Sequence, residues 1–145
     1  MNLQQYQSKI KLRSAKDGRQ LWGRVRKKWL MLTPEEIVRQ CVIHYLIEEK
    51  HYSDRLIAVE KTIQYFKVKK RYDIVVFDKA MTPLILVECK SPDVELDYKT
   101  FNQIQSYDSV VHGQHLWLTN GHQNIILAKS TQENQLISCG DVPPV

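Results

Sequence analysis

The stretch that decides the fold runs RYDIVVFDKAMTPLILVECK from residue 71 to residue 90. Two apolar runs rich in β-branched residues flank a polar break that contains Pro83, and this pattern predicts two strands joined by a turn. Because side chains alternate across a strand, Glu88 and Lys90 point to the same face, roughly 7 Å apart along it. If the strands pair across the turn, Asp73 lies near the end of the second strand that carries Glu88. The stretch therefore predicts two carboxylates and one ammonium at one end of a small sheet.

This cluster of charges allows two interpretations. Carboxylate oxygens are the ligands that a hard cation such as Mg²⁺ prefers, and a lysine beside the metal can hold or activate the attacking water. The alternative is that Glu88 and Lys90 form a solvated strand end and that Asp73 is a turn residue at the start of a strand. Spacing alone does not separate the two interpretations.

Length and composition indicate the class of protein. A chain of 145 residues is long enough for one domain with a single core. A hydrophobic content of 43% with 26% charged residues is ordinary for a soluble globular protein. The net charge of +5 leans modestly toward polyanion partners. Three cysteines do not make a disulfide framework, so a cytoplasmic setting is expected. No apolar run approaches the roughly 20 residues needed to cross a membrane.

Cationic residues crowd a predicted hairpin near the N terminus. Residues 21–26 and 29–32 are typical of short strands, and they lie on either side of Lys27 and Lys28. With Arg24 and Arg26, four cations fall within five residues. A ribbon that contacts phosphates is one interpretation. A solvated hairpin tip is the alternative, and the sequence by itself favours it.

A helix is predicted to begin at residues 33–36, which read Thr-Pro-Glu-Glu. Thr33 can cap the helix, Pro34 suits its first position, and Glu36 completes a capping box. Apolar residues then recur at helical spacing to about residue 50. These residues are Ile37, Val38, Cys41, Val42, Tyr45 and Leu46.

Two further strand candidates, residues 56–61 and 63–68, precede the deciding stretch, and Glu60 follows the apolar run of the first. A basic cluster follows, made of Lys67, Lys69, Lys70 and Arg71. Cations around a carboxylate site are what a phosphodiester substrate needs, although these four could equally be the exposed half of an alternating strand. Their position directly before Asp73 favours the functional interpretation.

The remaining chain predicts one helix and two strands. The helix is expected from about residue 97 to about residue 111, with Gln103 and Tyr107 on one face because they are four residues apart. Strands at 116–119 and 124–128 flank Asn120-Gly121, the strongest short hairpin signal in the chain. We expect residues 129–145 to form a loose tail. The alternation of helices and strands predicts an α/β fold, a mixed central sheet flanked by helices.

The charged residues of the deciding stretch resemble a known signature. Asp73, followed after a dozen or so residues by Glu88-Cys89-Lys90, resembles the PD-(D/E)XK nuclease superfamily. Tyr72 stands where the proline of that signature would be. The resemblance implies a restriction-endonuclease-like fold with the site at the edge of the sheet.

A longer ordered pattern sharpens this resemblance. Glu60, the Asp…Glu-x-Lys core, and then Gln103 and Tyr107 as a Gln-x-x-x-Tyr helix motif are similar to one family. That family is the N-terminal endonuclease domain of the motor (R) subunit of type I restriction enzymes. The resemblance covers residues 34–128, between an N-terminal extension (1–33) and the tail (129–145).

The resemblance implies metal-assisted hydrolysis of a DNA phosphodiester. Asp73 and Glu88 would hold Mg²⁺, or Mn²⁺ in its place, with Glu60 joining directly or through water. The metal would polarise the phosphate and lower the pKa of a bound water, and Lys90 would orient that water or stabilise the developing charge. Gln103 and Tyr107 would position Lys90 or a substrate phosphate.

One departure from the family leaves three hypotheses open. The sequence has no Gly-x-x-x-x-Gly-Lys-Ser/Thr phosphate-binding loop, so we expect no translocating ATPase. The expected protein partner is either a separate motor or specificity subunit or a second copy of the chain in a homodimer. The chain is then an active Mg²⁺-dependent DNA endonuclease, an idle nucleic-acid-binding or assembly module, or an unrelated α/β domain with incidental charges. The intact Asp/Glu/Lys set favours the first hypothesis, and the small net charge favours the second.

Overall fold

The structure, a computed structural model, describes residues 1–65, 68–97, 99, 115–129 and 136–145. In these residues nine strands form a three-stranded and a six-stranded sheet, and the α-helix α1 (Pro34–Glu48) packs against them. The predicted mixed α/β class is confirmed. Most of the helix predicted at residues 97–111 lies outside the described residues. No helix in the described part of the chain is long and apolar enough to cross a membrane.

The N-terminal sheet consists of β1 (Leu12–Ala15), β2 (Gly18–Gly23) and β3 (Lys28–Met31), all antiparallel. The predicted hairpin around the basic pair is confirmed. β1 was not predicted, because its sequence Leu-Arg-Ser-Ala is mostly exposed and has no apolar alternation. A 3₁₀ helix (Leu3–Lys9) precedes this sheet and packs its buried side chains against α1.

α1 begins as the sequence predicted. Thr33 Oγ1 accepts a hydrogen bond from the backbone N–H of Glu36 at 3.1 Å. The side chain of Glu36 does not point back to the cap as in a capping box; it accepts hydrogen bonds from Arg39 and Gln40. α1 buries Ile43 among other apolar residues in the cluster that includes the inner face of the large sheet. A fully buried side chain of this size stabilises the fold by about 1.5–3 kcal/mol.

The large sheet has its strands in chain order, with one parallel pair. Its strands are β4 (Ile57–Tyr65), β5 (Val68–Phe77), β6 (Pro83–Cys89), β7 (His115–Thr119), β8 (Asn124–Lys129) and β9 (Leu136–Ser138). Neighbours pair antiparallel except β6 and β7. A parallel pair needs a crossover connection, so the chain between Cys89 and His115 is that crossover.

Two predictions about this sheet were wrong. Residues 56–61 and 63–68 are not two strands: β4 continues to Tyr65, and β5 begins at Val68 and runs directly into the deciding stretch. The C-terminal residues do not form a loose tail. β9 pairs with β8, Val142 is buried, and the Tyr45 hydroxyl donates to Asp141 at 2.6 Å. These contacts were missed because they join residues distant in sequence.

The hairpin predicted at Asn120-Gly121 is confirmed. Thr119 of β7 pairs with Asn124 of β8, and Gly121 has φ +90°. A Cβ atom at Gly121 would lie 3.2 Å from a methyl group of Val38 on α1. The glycine therefore turns the chain and lets the hairpin approach the helix closely.

Candidate functional site

Strand register places three acidic residues in one line across β4, β5 and β6. Val59 pairs with Ile74 and Lys61 pairs with Tyr72, so Glu60 lies opposite Asp73. Ile74 of β5 pairs with Val87 of β6, so Glu88, the next residue of β6, also lies opposite Asp73. Neighbouring strands are about 4.8 Å apart. The register thus aligns the backbone positions of the three acidic residues that the sequence nominated, while their role in catalysis stays a prediction.

Asp73 is held from two sides. Its Oδ1 accepts a hydrogen bond from Arg39 Nη2 at 2.7 Å, and its Oδ2 accepts one from the backbone N–H of Cys89 at 2.8 Å. The side chain is 12% exposed. The bond to Cys89 ties Asp73 to the strand that carries Glu88, so the carboxylate has a defined orientation. Asp73 lies in the middle of β5 and not at a strand end as predicted, because β5 begins at Val68.

Arg39 is the site residue that sequence reasoning missed. Its side chain is only 5% exposed, and its guanidinium pairs with Glu36 as well as with Asp73. The carboxylate oxygens of Glu35 and Glu60 lie 3.2 and 3.8 Å from it. Burial acts to lower the pKa of Arg39, but the charges of Glu36 and Asp73 outweigh burial and raise it. Arg39 is therefore a permanent buried cation beside Asp73.

A weak signal for Arg39 was present in the sequence. Glu35 and Glu36 precede it by four and three residues, the spacings at which helix side chains interact. Arg39 also lies between Val38 and Gln40, which are both buried, in the middle of the helix. An arginine in such a position must have an acidic partner, because a buried unpaired charge is very costly.

Glu88 and Lys90 lie on the same side of the sheet, as the strand alternation predicted. Lys90 Nζ lies 2.9 Å from Glu88 Oε1, and the backbone N–H of Lys90 donates to the carbonyl of Thr119 at 2.8 Å. Burial acts to lower the pKa of Lys90, but the hydrogen bond and charge of Glu88, with a contribution from Asp73, raise it above its usual 10.5. Lys90 is therefore an ammonium at neutral pH.

Glu60 has an unusual backbone conformation for a strand residue. Its φ is +50°, in the left-handed region that non-glycine residues seldom adopt. Such conformations cluster at functional sites. Its carboxylate pairs with Arg26 at 2.8 Å and lies 3.9 Å from Arg71. Arg26 belongs to the connection between β2 and β3, so the N-terminal sheet reaches the site through Glu60.

The other predicted site residues are only partly described. Lys69 and Arg71 are exposed on β5. Lys67, Gln103, Tyr107 and the side chain of Lys70 lie outside the described residues. The basic cluster and the Gln-x-x-x-Tyr helix therefore stay predictions.

The carboxylates fit a hard cation in their chemistry, but cationic side chains already pair with them. Three carboxylates on neighbouring strands offer the oxygen donors that Mg²⁺ takes. Among the described residues, however, no group of three or more His, Cys, Asp or Glu side chains is gathered to hold a metal ion. The Arg39 guanidinium pairs with Asp73 and the Lys90 ammonium with Glu88. A divalent cation at Asp73 would compete with Arg39 for Oδ1.

A comparison with known protein families finds a match to most of the chain. Residues 34–143 match the family model of the type I restriction enzyme R protein N terminus (HSDR_N). A solved fragment structure, described as an HsdR subunit of a type I restriction enzyme from Vibrio vulnificus YJ016, is similar with a TM-score of 0.47 and 16% sequence identity. The similarity covers 70% of this chain and 22% of that chain. None of the curated proteins matches the chain. The family match includes the three carboxylates and Lys90 and excludes the N-terminal sheet.

Proposed function

Because this chain belongs to the family of type I restriction enzyme R protein N termini, we propose that it acts in a restriction system as a metal-dependent DNA endonuclease domain of the PD-(D/E)XK type. The observation that carries the proposal is the register that aligns Glu60, Asp73 and Glu88 on neighbouring strands. Lys90 completes the set through its contact with Glu88. Carboxylates and an ammonium on neighbouring strands are the groups that phosphodiester hydrolysis uses.

Each residue of the set has a role in this proposal. Asp73 and Glu88 would hold Mg²⁺ or Mn²⁺, with Glu60 at the edge. A divalent cation supplies polarisation of the phosphate and a bound water of lowered pKa. Lys90, kept charged by Glu88, would stabilise the negative charge that develops on the phosphate. Gln103 and Tyr107 keep the positioning role that the family pattern implies.

Arg39 reduces the repulsion between the carboxylates. Carboxylates that lie close together repel each other. Arg39 lies within 4 Å of carboxylate oxygens of both Asp73 and Glu60 and neutralises part of their charge. We assign Arg39 as a positioning residue that holds Asp73 while its second carboxylate oxygen bonds to β6.

Metal titration and DNA cleavage test the proposal together. Mn²⁺ and Mg²⁺ are titrated calorimetrically into wild type and into the variants Asp73→Asn and Glu88→Gln, and the same samples are assayed for plasmid nicking. Glu95→Gln removes a carboxylate at an exposed position and serves as the matched control. We expect both site variants to lose metal binding and to nick at least about 10³-fold more slowly, and the control to behave as wild type. A wild type that binds no metal at millimolar concentration would refute the proposal.

The ion pairs favour a second function. Arg39 and Lys90 satisfy Asp73 and Glu88 without any metal, which is also what a purely structural network would look like. In that case the domain is an idle DNA-binding or assembly module. Wild type would then bind DNA without nicking it in Mg²⁺ or Mn²⁺, and Asp73→Asn would lower stability and leave DNA binding unchanged.

A further inference from the structure

Charge is divided sharply between the N-terminal segment and the rest of the chain. Residues 1–33 contain nine Lys and Arg residues and one acidic residue, Asp17, for a net charge of +8. Residues 34–145 contain twelve Lys and Arg residues and fifteen acidic residues, for a net charge of −3. The family match begins at residue 34. The positive charge of the protein therefore resides in a segment that the proposed nuclease core does not explain.

Within the described residues, about half of these cations form no ion pair. Four of them form ion pairs: Lys9 and Arg24 with Glu48, Arg26 with Glu60, and Lys27 with Asp54. In the part of the chain that the structure describes, the other five form no ion pair. These are Lys11, Arg13, Lys16, Arg19 and Lys28, and all five are exposed. They are available to contact phosphates of a polyanion.

Two tryptophans lie side by side on the same sheet. Trp22 of β2 pairs in register with Trp29 of β3, and their rings meet edge to face with centroids 5.3 Å apart. The Arg13 guanidinium lies 4.3 Å over the ring of Trp29. Lys11 borders Trp22, whose backbone N–H donates to the Lys11 carbonyl at 2.9 Å. Both tryptophans are half-buried, so each keeps ring surface open to solvent.

Strand alternation separates this surface from the core. Leu21 and Gly23 of β2 are buried on the inner face. Trp22 and its neighbours in register point the other way. We define this outer surface as the basic face; its residues are Lys11, Arg13, Gln20, Trp22, Trp29 and Met31. Its cations are Lys11 and Arg13, whereas Arg19 and Lys28 fall on the face of Leu21 by the same register.

We propose that the basic face binds single-stranded nucleic acid. Proteins that bind single strands without sequence preference combine a positively charged surface with aromatic side chains on which bases stack. Bases also stack on arginine guanidinium planes, and Arg13 over Trp29 supplies one. A duplex hides the faces of its bases, so a surface of this composition favours a single strand. An acidic protein or lipid surface would bind the cations but would not stack on the paired tryptophans.

The connection between β2 and β3 contacts the candidate site. Its Arg26 pairs with Glu60 at 2.8 Å. In the same connection the backbone N–H of Arg24 donates to Gln40 Oε1 at 3.0 Å, next to Arg39 on α1. The sheet that carries the basic face is therefore tied to the candidate site through Glu60. The inference goes beyond the proposed function and does not depend on hydrolysis.

Binding is measured by fluorescence anisotropy with a dye-labelled oligothymidine of about 20 nucleotides, long enough for the site size of such surfaces, and with the matching duplex. All samples contain EDTA, so that no metal chemistry contributes. We expect wild type to bind the single strand about tenfold more tightly than the duplex. Quenching of tryptophan fluorescence reports on the basic face, because the third tryptophan, Trp117, is buried.

A charge-matched pair of variants tests the cations. Lys11→Gln/Arg13→Gln removes two cations from the basic face, and Arg55→Gln/Lys79→Gln removes two exposed cations elsewhere. We expect the first variant to lose affinity about tenfold and to reduce the salt dependence, the slope of log K against log salt, by about 1.4. The control should keep the wild-type slope.

A second pair tests stacking separately from folding. Trp29→Phe keeps an aromatic ring, whereas Trp29→Leu does not. We expect Trp29→Phe to bind within about threefold of wild type and Trp29→Leu to bind about tenfold more weakly. Equal binding by the two folded variants would refute stacking as the basis of recognition.

Three results would overturn the proposal as a whole: no binding of the single strand in EDTA, tighter binding of the duplex, or tighter binding of phosphatidylserine vesicles than of the oligonucleotide. Its failure is distinguishable from failure of the nuclease proposal. A wild-type protein that binds the oligonucleotide in EDTA and nicks no DNA in Mg²⁺ or Mn²⁺ would uphold this inference alone.

Discussion

Charged residues are paired differently on the N-terminal sheet and at the carboxylate end of the large sheet, which we define as Glu60, Asp73, Glu88 and Lys90. On the N-terminal sheet, five cations are exposed and, within the described residues, have no acidic partner. At the carboxylate end, Asp73 and Glu88 are largely buried, and each is paired with a cation. The physical reason is burial: an exposed cation stays solvated, whereas a buried charge must be paired. Paired charges thus mark the core of the candidate site, and unpaired charges mark a surface open to a partner.

A substitution of Arg39 should have the largest effect on stability. It tests whether the buried charges depend on each other. Arg39→Met removes one partner from a buried network and leaves Asp73 and Glu36 without their cation. We expect the free energy of unfolding to fall by about 3–5 kcal/mol, measured by urea denaturation. Arg55→Met, at an exposed position, should change it by less than about 0.5 kcal/mol.

A double-mutant cycle sharpens this test. If Arg39 acts through Asp73, the combined variant Arg39→Met/Asp73→Asn should be more stable than the sum of the two single changes implies, because the second change removes the unpaired charge. Strict additivity would show that the two side chains do not act as a pair. The contrast between paired and unpaired regions would then lose its main support.

Lys90 gives the next effect and tests the chemistry of the paired region. Lys90→Met keeps the length of the side chain and removes its charge. We expect nicking to fall about 10²–10³-fold, because the charge on the phosphate is no longer stabilised, while calorimetry still detects metal binding. Lys79→Met, an exposed lysine, is the matched control. Unchanged nicking by Lys90→Met would remove Lys90 from the mechanism and leave it as the ion-pair partner of Glu88.

A substitution of Glu48 should have the smallest effect, and it tests the contact between the N-terminal segment and α1. Its carboxylate binds Lys9 and Arg24 of the N-terminal segment and lies 2.9 Å from His44 Nδ1. Hydrogen bonds from His44, Lys9 and Arg24 lower the pKa of Glu48 from 4.5 to about 2. Because the pKa is lower in the folded state, the stabilisation is complete above about pH 4.5 and is lost as the pH falls toward 2.

Glu48→Gln should therefore lower the free energy of unfolding at pH 7 by about 1–2 kcal/mol. The difference from wild type should shrink between pH 4.5 and pH 2, as measured by denaturation at several pH values. A difference that stays constant down to pH 2 would show that Glu48 contributes through packing and not through its charge.

The carboxylate pair was predictable because its parts are close in sequence. Asp73 and Glu88 lie on strands joined by a short turn, so alternation and pairing across the turn place them together. The capped start of α1 and the turn at Gly121 are local features of the same kind. Each depends on a few consecutive residues.

Arg39 and β9 were not predictable for the opposite reason. Arg39 reaches Asp73, thirty-four positions away in the sequence, only because α1 packs on the large sheet. β9 has only three residues and exists as a strand because β8 offers it an edge to pair with. Patterns of apolar residues report the face of a single element and carry no information about which element it meets.

The sequence by itself determined the elements and the types of residue at the site: the two strands of the deciding stretch, the start of α1, the Asp/Glu/Lys set and the excess of cations before residue 34. The tertiary structure decided which charges are paired and which are free. It brought Arg39 to Asp73, Arg26 to Glu60, and Trp22 beside Trp29 under Arg13. The reason is physical: a charge is neutralised by its neighbours in space, and those neighbours come from packing between elements that no local pattern specifies.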